Sequence, residues 1–220
     1  MPDWGTIASL ATAAGTLILA IATFFSTRSA NRAARAAERS LLVGLRPVLM
    51  SARPEDPPEK VRFGDEHWVR ISDGMATIDE VDGRLYLAMP LRNVASGIAV
   101  LHGWDLSADR RTAAEPHREP ASFRRHTRDL YVPAGLTGFW QGAVREPSDP
   151  LHAPLRRAVA ERTPLTIDLL YGDHEGGQRA ITRFVLSSRA HAEETDGEPR
   201  RSRWFCSVVR HWNLDRHDPR

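Results

Sequence analysis

The chain has 220 residues, a formal net charge of +2 and a single cysteine, Cys206. That length holds one membrane anchor and one domain, the near-balanced charge argues against a general nucleic-acid binder, and a lone cysteine excludes an internal disulfide. The basic residues are almost all arginine, with Lys60 the sole lysine, and the cysteine usage suits a reducing compartment.

The first apolar run, Gly5–Phe25, holds twenty-one residues without a charge, Asn, Gln or Pro. As an α-helix it extends ~31 Å, the thickness of a bilayer's hydrocarbon core. A secretory signal requires a basic start and a shorter apolar core. Here residues 1–4 carry only Asp3 and the α-amino group, and Arg28-Ser29-Ala30 fits a cleavage site loosely. A soluble core helix would show a polar face, which scattered Thr and Ser do not make. The run therefore reads as a transmembrane helix. Arg28, Arg32, Arg35 and Arg39 follow it, opposed only by Glu38. Basic flanks stay on the cytoplasmic side, so residues 1–4 are expected outside the cell membrane and the C-terminal domain in the cytoplasm. Ala11 with Gly15, and Ser9 with Ala13, are small residues four apart, a spacing that lets helices approach closely. Homo-oligomerisation through the span is one expectation; chance in an Ala-rich run is the other.

Residues 26–46 read as a helical stalk rich in good helix formers, stopped by Pro47. The four arginines, spaced 4, 3 and 4 apart, form one stripe. It either contacts anionic lipid head groups, at ~1 kcal/mol per Arg near the surface, or is simply a solvated face.

After Pro47 the hydrophobic period becomes 2, and residues 47–212 read as a β domain with 213–220 as its tail. Lys60–Phe63 and His67–Ile71 are short strands. Leu85, Leu87, Met89 and Leu91 alternate with Tyr86, Ala88 and Arg92, predicting a half-buried strand. Pro90 would make it an edge strand or a bulged one. Asn93–Gly97 is the turn into Ala99–Leu106, which puts Val100, Trp104 and Leu106 on one face with His102 between them. Ala108–Arg128, with six arginines and two prolines, reads as a long mobile loop. Strands follow at Asp129–Val132 and Gly138–Val144, then a short helix within Ser148–Arg162 with Pro154 in its first turn. Leu165–Tyr171 alternates again and leaves Asp168 facing solvent. Gly172–Gly177 closes a hairpin with Ala180–Leu186, Ser187–Ser202 is a polar stretch expected to be disordered, and Trp204–Val209 is the last strand. The expected fold is mainly β, an immunoglobulin-like antiparallel β-sandwich with one short helix, and a closed barrel is the runner-up.

Arg46-Pro47-Val48-Leu49, Leu85–Val100, Leu130–Gly135 and Leu169–Leu186 together resemble a group of uncharacterised bacterial membrane proteins. These have one N-terminal span, a helical stalk and a small β-sandwich. The resemblance implies that an Asn-x-Gly-x-Gly-x-Ala turn joins two sandwich strands. Ala95 stands here where the first glycine of that turn is usual. It implies no catalytic residue and no substrate.

The chemistry-bearing residues do not form a site in sequence. Asp173-His174-Glu175 reads as a polar hairpin tip, because successive residues of an extended chain point to opposite sides. His102 reads as a packed or edge-of-core histidine, and Cys206, alternating with Trp204 and Val208, as a buried inert thiol. Arg200, Arg201 and Arg203 beside Trp204 and Phe205 read as a solvated basic segment, not a nucleic-acid site. No catalytic, cofactor-binding or metal residue is assigned. The expected function is a membrane-tethered, non-enzymatic module that binds an unknown protein partner through strand edges or the Ala108–Arg128 loop. Two alternatives stand beside it: an anchored enzyme whose site is assembled from His102, His126, Asp173 or His174, and an anionic-lipid surface sensor using the arginine stripe.

Overall fold

The structure, a computed structural model, describes residues 3–188 and 203–215. Most of Ser187–Ser202, including Arg200 and Arg201, and most of the 213–220 tail lie outside the described residues. The chain divides into two compact units, Met1–Gly44 and Leu45–Arg220.

In the first unit the apolar run and the stalk are one uninterrupted helix, α1 (Trp4–Gly44), of 41 residues. At 1.5 Å per residue it is ~60 Å long, about twice a bilayer's hydrocarbon core. Among the described residues it is the one helix long and apolar enough to cross a membrane. Thr12, Thr16, Thr23 and Thr27 each donate their hydroxyl to the carbonyl four residues back, at 2.7–2.9 Å. These hydroxyls are thereby satisfied within the helix, as an apolar surround requires.

The second unit is built on ten antiparallel strands. They are β1 (Leu49–Ser51), β4 (Met75–Val81), β5 (Arg84–Asn93), β6 (Ala99–Ser107), β7 (Arg124–Arg125), β8 (Tyr131–Val132), β9 (Thr137–Val144), β10 (Leu165–Asp173), β11 (Arg179–Ser188) and β12 (Arg203–Asn213). Their order is β1-β5-β4-β12-β11-β10-β6-β7, with β9 also on β5 and β8 also on β6. Leu85, Leu87, Met89 and Leu91 of β5 meet Leu165, Ile167, Leu169 and Tyr171 of β10, with Trp140 and Trp204, in one core. The short helix α2 (His152–Glu161) adds Leu155 and Ala158 to it.

The other face of the sheet is covered as well. A separate hairpin, β2 (Glu59–Arg62) with β3 (Trp68–Ile71), lays Val61, Phe63, Val69 and Ile71 on Tyr86 and Ala88. So β5 is buried on both faces from Leu85 to Leu91, not half-buried as its alternation predicts. Nor is β5 an edge strand. One edge pairs with β9 throughout; the other pairs with β4 up to Ala88 and with β1 from Leu91. Pairing on that second edge is interrupted at Pro90, the residue without an N–H, which is how a proline fits a central strand.

Two bulges decide which side chains face which way. Leu170 opposes Gly103 and Tyr171 opposes Leu101, so His102 is the extra residue of β6. One extra residue flips the parity of a strand. Ala99 and Leu101 therefore enter the core before the bulge and Trp104 and Leu106 after it, which corrects the single-face reading of Val100 to Leu106; His102 is exposed. In β12, Arg183 opposes Arg210 and Phe184 opposes Val208, so Val209 is extra. Cys206 and Val208 pack on the core side with Trp204, whereas Trp212 joins Leu170, Ile181 and Phe123 on the outer face.

Candidate functional site

A row of charged residues, buried at its centre, crosses four strands of the sheet. Asp105 of β6 opposes Asp168 of β10, Asp168 opposes Arg183 of β11, and Arg183 opposes Arg210 of β12. The two bulges align this row: without them Asp105 and Arg210 would keep step with the core-facing residues at the other ends of their strands. Asp168 and Arg183 are 1 % and 0 % exposed, so Asp168 does not face solvent. What covers it is the arginine-rich loop, whose residues 112–116 are hydrogen-bonded to Arg183 and Arg210. Arg183 Nε and Nη2 donate to the two oxygens of Asp168 at 2.7 Å, Nη1 donates to the carbonyls of Thr112 and Glu115 at 2.8 Å, and Nη2 also to Pro116 at 3.2 Å. All five guanidinium donors are thus used, the condition under which a buried arginine is tolerated. Arg210 Nη1 donates to Ala113 O at 2.7 Å, and the Trp212 ring lies 4.8 and 5.0 Å from the Arg183 and Arg210 guanidiniums. Thr166 Oγ donates to Asp109 O and accepts from Arg111 N. Asp105 sits within 3.4 Å of Arg111 and Arg118, yet burial pushes its carboxyl above the ordinary range. The charges of the row are spent on one another and on the loop. Its chemistry is that of a clamp, which holds residues 109–118 in one shape with Ala114, Glu115, Pro116 and Arg118 outward.

The histidine and aspartate candidates come partly together. His126 N donates to His102 O, and His102 Nε2 lies against Gly172, next to Asp173. Among the described residues, however, no hydrogen bond joins the side chains of His102, His126, Asp173 and His174. Asp173 is buried and accepts from Gly177 N at 2.8 Å and Gln178 Nε2 at 3.1 Å, so it organises its own hairpin. His174 is at the tip, 3.4 Å from Glu175. Desolvation by its neighbours and the Arg179 charge hold the exposed His102 below the ordinary histidine pKa, and burial does the same to His126. Burial pushes the Cys206 thiol far up. Among the described residues, no three His, Cys, Asp or Glu residues are grouped as a metal ion requires.

A second feature draws on segments far apart in sequence. Lys60, Arg62, Trp68, Thr127, Arg128, Asp129 and Phe139 line an open recess of about 470 Å³. The alternation that sends Val61 and Val69 inward sends Lys60, Arg62, Trp68 and Arg70 outward. The hairpin is fixed at its tip by Asp65, which accepts from Tyr86 Oη at 2.7 Å and Arg145 Nε at 2.9 Å. Arg145 holds the Asp65 carboxyl well below the usual range. Sequence reading passes over this recess because each half is an ordinary exposed cation; the one local signal is an aromatic on a strand face otherwise basic.

On α1, Arg28, Arg32, Arg35 and Arg39 are all exposed. Because the helix is unbroken, a second stripe keeps the same heptad phase along it: Ser9, Ala13, Thr16, Ala20, Thr23 and Thr27, continued by Ala30, Ala34 and Ala37. No protein-family model, curated protein or solved structure matches the chain, so its chemistry stands on the residues described above.

Proposed function

We propose that this chain is a single-pass membrane protein, N-terminus out, that holds a non-enzymatic, sandwich-like β module at the cytoplasmic face to bind a protein partner. The contact surface is the loop displayed by Arg183 and Arg210. The observation that carries this reading is the use of buried charge to fix a surface loop. Burying an ion pair gives little net stability, so the return lies in the fixed shape of residues 109–118. Tethering raises the module's effective concentration for partners at the membrane. The single α1 helix and its basic cytoplasmic flank support the orientation.

Sidedness is tested by reporters fused after Arg220. A reporter active only in the cytoplasm is expected to work, and activity of one that works only outside overturns the orientation. Binding is tested by purification from detergent-solubilised membranes. A partner retained by the full chain should be lost with Glu115→Ala/Arg118→Ala, and equal retention counts against the loop as the surface.

A second reading is favoured by the exposed arginine stripe: contact with anionic lipid through Arg28, Arg32, Arg35 and Arg39. In nanodiscs, amide exchange of residues 26–40 should then slow when anionic lipid replaces zwitterionic lipid. Glutamine at all four positions should abolish the difference.

A further inference from the structure

We infer that the recess between the β2–β3 hairpin and residues 127–129 is a binding site for a phosphate group, carried either by a lipid head group or by a soluble phosphate compound. This goes beyond the tether and the loop and does not depend on them. Three cations converge on the recess from two segments: Lys60 and Arg62 from the hairpin, Arg128 from the loop before β8. Arg62 is paired with Glu66. Lys60 and Arg128 are exposed and make no side-chain hydrogen bond or ion pair with any described residue. Unpaired cations facing one cavity favour a multiply charged anion, for which arginine supplies a planar fork and lysine a point charge.

One carboxylate, Asp129, also lines the recess, its Oδ2 accepting from Gln141 Nε2 at 2.5 Å; three cations against that one carboxylate leave the lining net positive. Part of the lining is aromatic: Trp68 is 55 % exposed with the Arg62 guanidinium 5.8 Å from its ring, and Phe139 is a second lining residue. A ligand with an anionic end and an apolar or ring portion meets both halves. The volume falls in the range of small-ligand sites.

The test titrates the full chain, in uncharged detergent at low salt, with inorganic pyrophosphate and with monomeric short-chain phosphatidylglycerol. Saturable binding of at least one probe is expected. Lys60→Ala/Arg128→Ala should weaken it about tenfold or more, the scale of losing charge-assisted hydrogen bonds. Arg157→Ala, exposed on α2 and not among the residues that line the recess, should leave it unchanged. Preference for the lipid assigns the site to a head group, and preference for pyrophosphate assigns it to a soluble phosphate. Trp68→Ala should weaken the lipid arm more than the pyrophosphate arm. Both Lys60 and Arg128 are exposed, so their loss leaves cooperative unfolding intact, which is checked in parallel. No saturable binding by either probe, or equal binding by the double variant, overturns the assignment.

Discussion

Asp168 and Arg183 stand directly opposite each other on neighbouring strands, joined by two 2.7 Å hydrogen bonds and almost wholly withdrawn from solvent. Breaking such a pair by removing one partner costs about 3–5 kcal/mol, because a charge is left buried alone. Asp168→Asn and Arg183→Met should each lower the urea midpoint of the full chain accordingly. Asp168→Leu with Arg183→Met should recover part of that loss, since no lone charge remains. In the double variant the carbonyls of Thr112, Glu115 and Pro116 still lose their donor, so trypsin should cut at Arg111 and Arg118 faster than in the native chain. An unchanged cleavage rate would mean that the loop is held by something else.

How legible this was depends on the range of the interaction. The long helix, the Gly172–Gly177 hairpin and the alternation of Leu165 to Tyr171 are local patterns, and each appears in the structure. The strand Met75–Val81 has a local signal too, in Asp73-Gly74 and Asp82-Gly83, which the period-2 reading passes over. Both residues of each pair have positive φ, as tight two-residue turns require, and Asp82-Gly83 closes the β4–β5 hairpin. The outer face was not legible. Period 2 says only that Asp168 points to the side opposite Ile167 and Leu169, which pack in the core. Nothing local says that Arg183 and residues 112–116 will cover the aspartate. The bulges at His102 and Val209 carry no turn residue, yet they decide the alignment of Asp105 and Arg210.

The turn after β5 makes its own prediction. Asn93 is buried, and its side chain donates to Gly97 O at 2.6 Å and Val132 O at 3.1 Å while accepting from Ala95 N at 3.2 Å. Ala95 is not among the positive-φ residues, which is why alanine is accepted there. Gly97 is different: a Cβ would lie 1.7 Å from Leu45 O. Gly97→Ala should cost about 1–3 kcal/mol or more by overpacking against backbone. Ala95→Gly should cost less than about 1 kcal/mol, through chain entropy alone. Urea unfolding of both variants decides it, and a Gly97→Ala protein of native stability would refute the close approach.

Stability should also fall on mild acidification. Burial holds His126 below the ordinary histidine pKa in the folded chain, and the unfolded chain has the ordinary value, ~6.5. Between the two values the unfolded state binds a proton that the folded state refuses, so stability is full above the unfolded value and falls as pH drops through it. The urea midpoint should therefore decrease from pH 7.5 to pH 5.5, and less so in His126→Leu. Equal decreases in the two proteins would show that His126 does not contribute.

Ser9 and Ala13 of α1 share a face with Thr16, Ala20, Thr23 and Thr27, whereas Ala11 and Gly15 fall on other sides of the helix at 100° per residue. Thr16, Thr23 and Thr27 have donated their hydroxyls to their own backbone, so they can present methyl groups to a neighbour. Small residues at this spacing allow close helix packing in lipid, and the phase runs on through Ala30, Ala34 and Ala37 without a break. If two chains associate through this face, Ala13→Leu and Ala20→Leu should each weaken the dimer by about 1 kcal/mol, roughly fivefold. Gly15→Leu, equally bulky but on another side, should not. Energy transfer between labelled full-length chains in nanodiscs measures the difference. A monomer at every protein-to-lipid ratio, or a larger loss from Gly15→Leu than from Ala20→Leu, would remove this face as the interface.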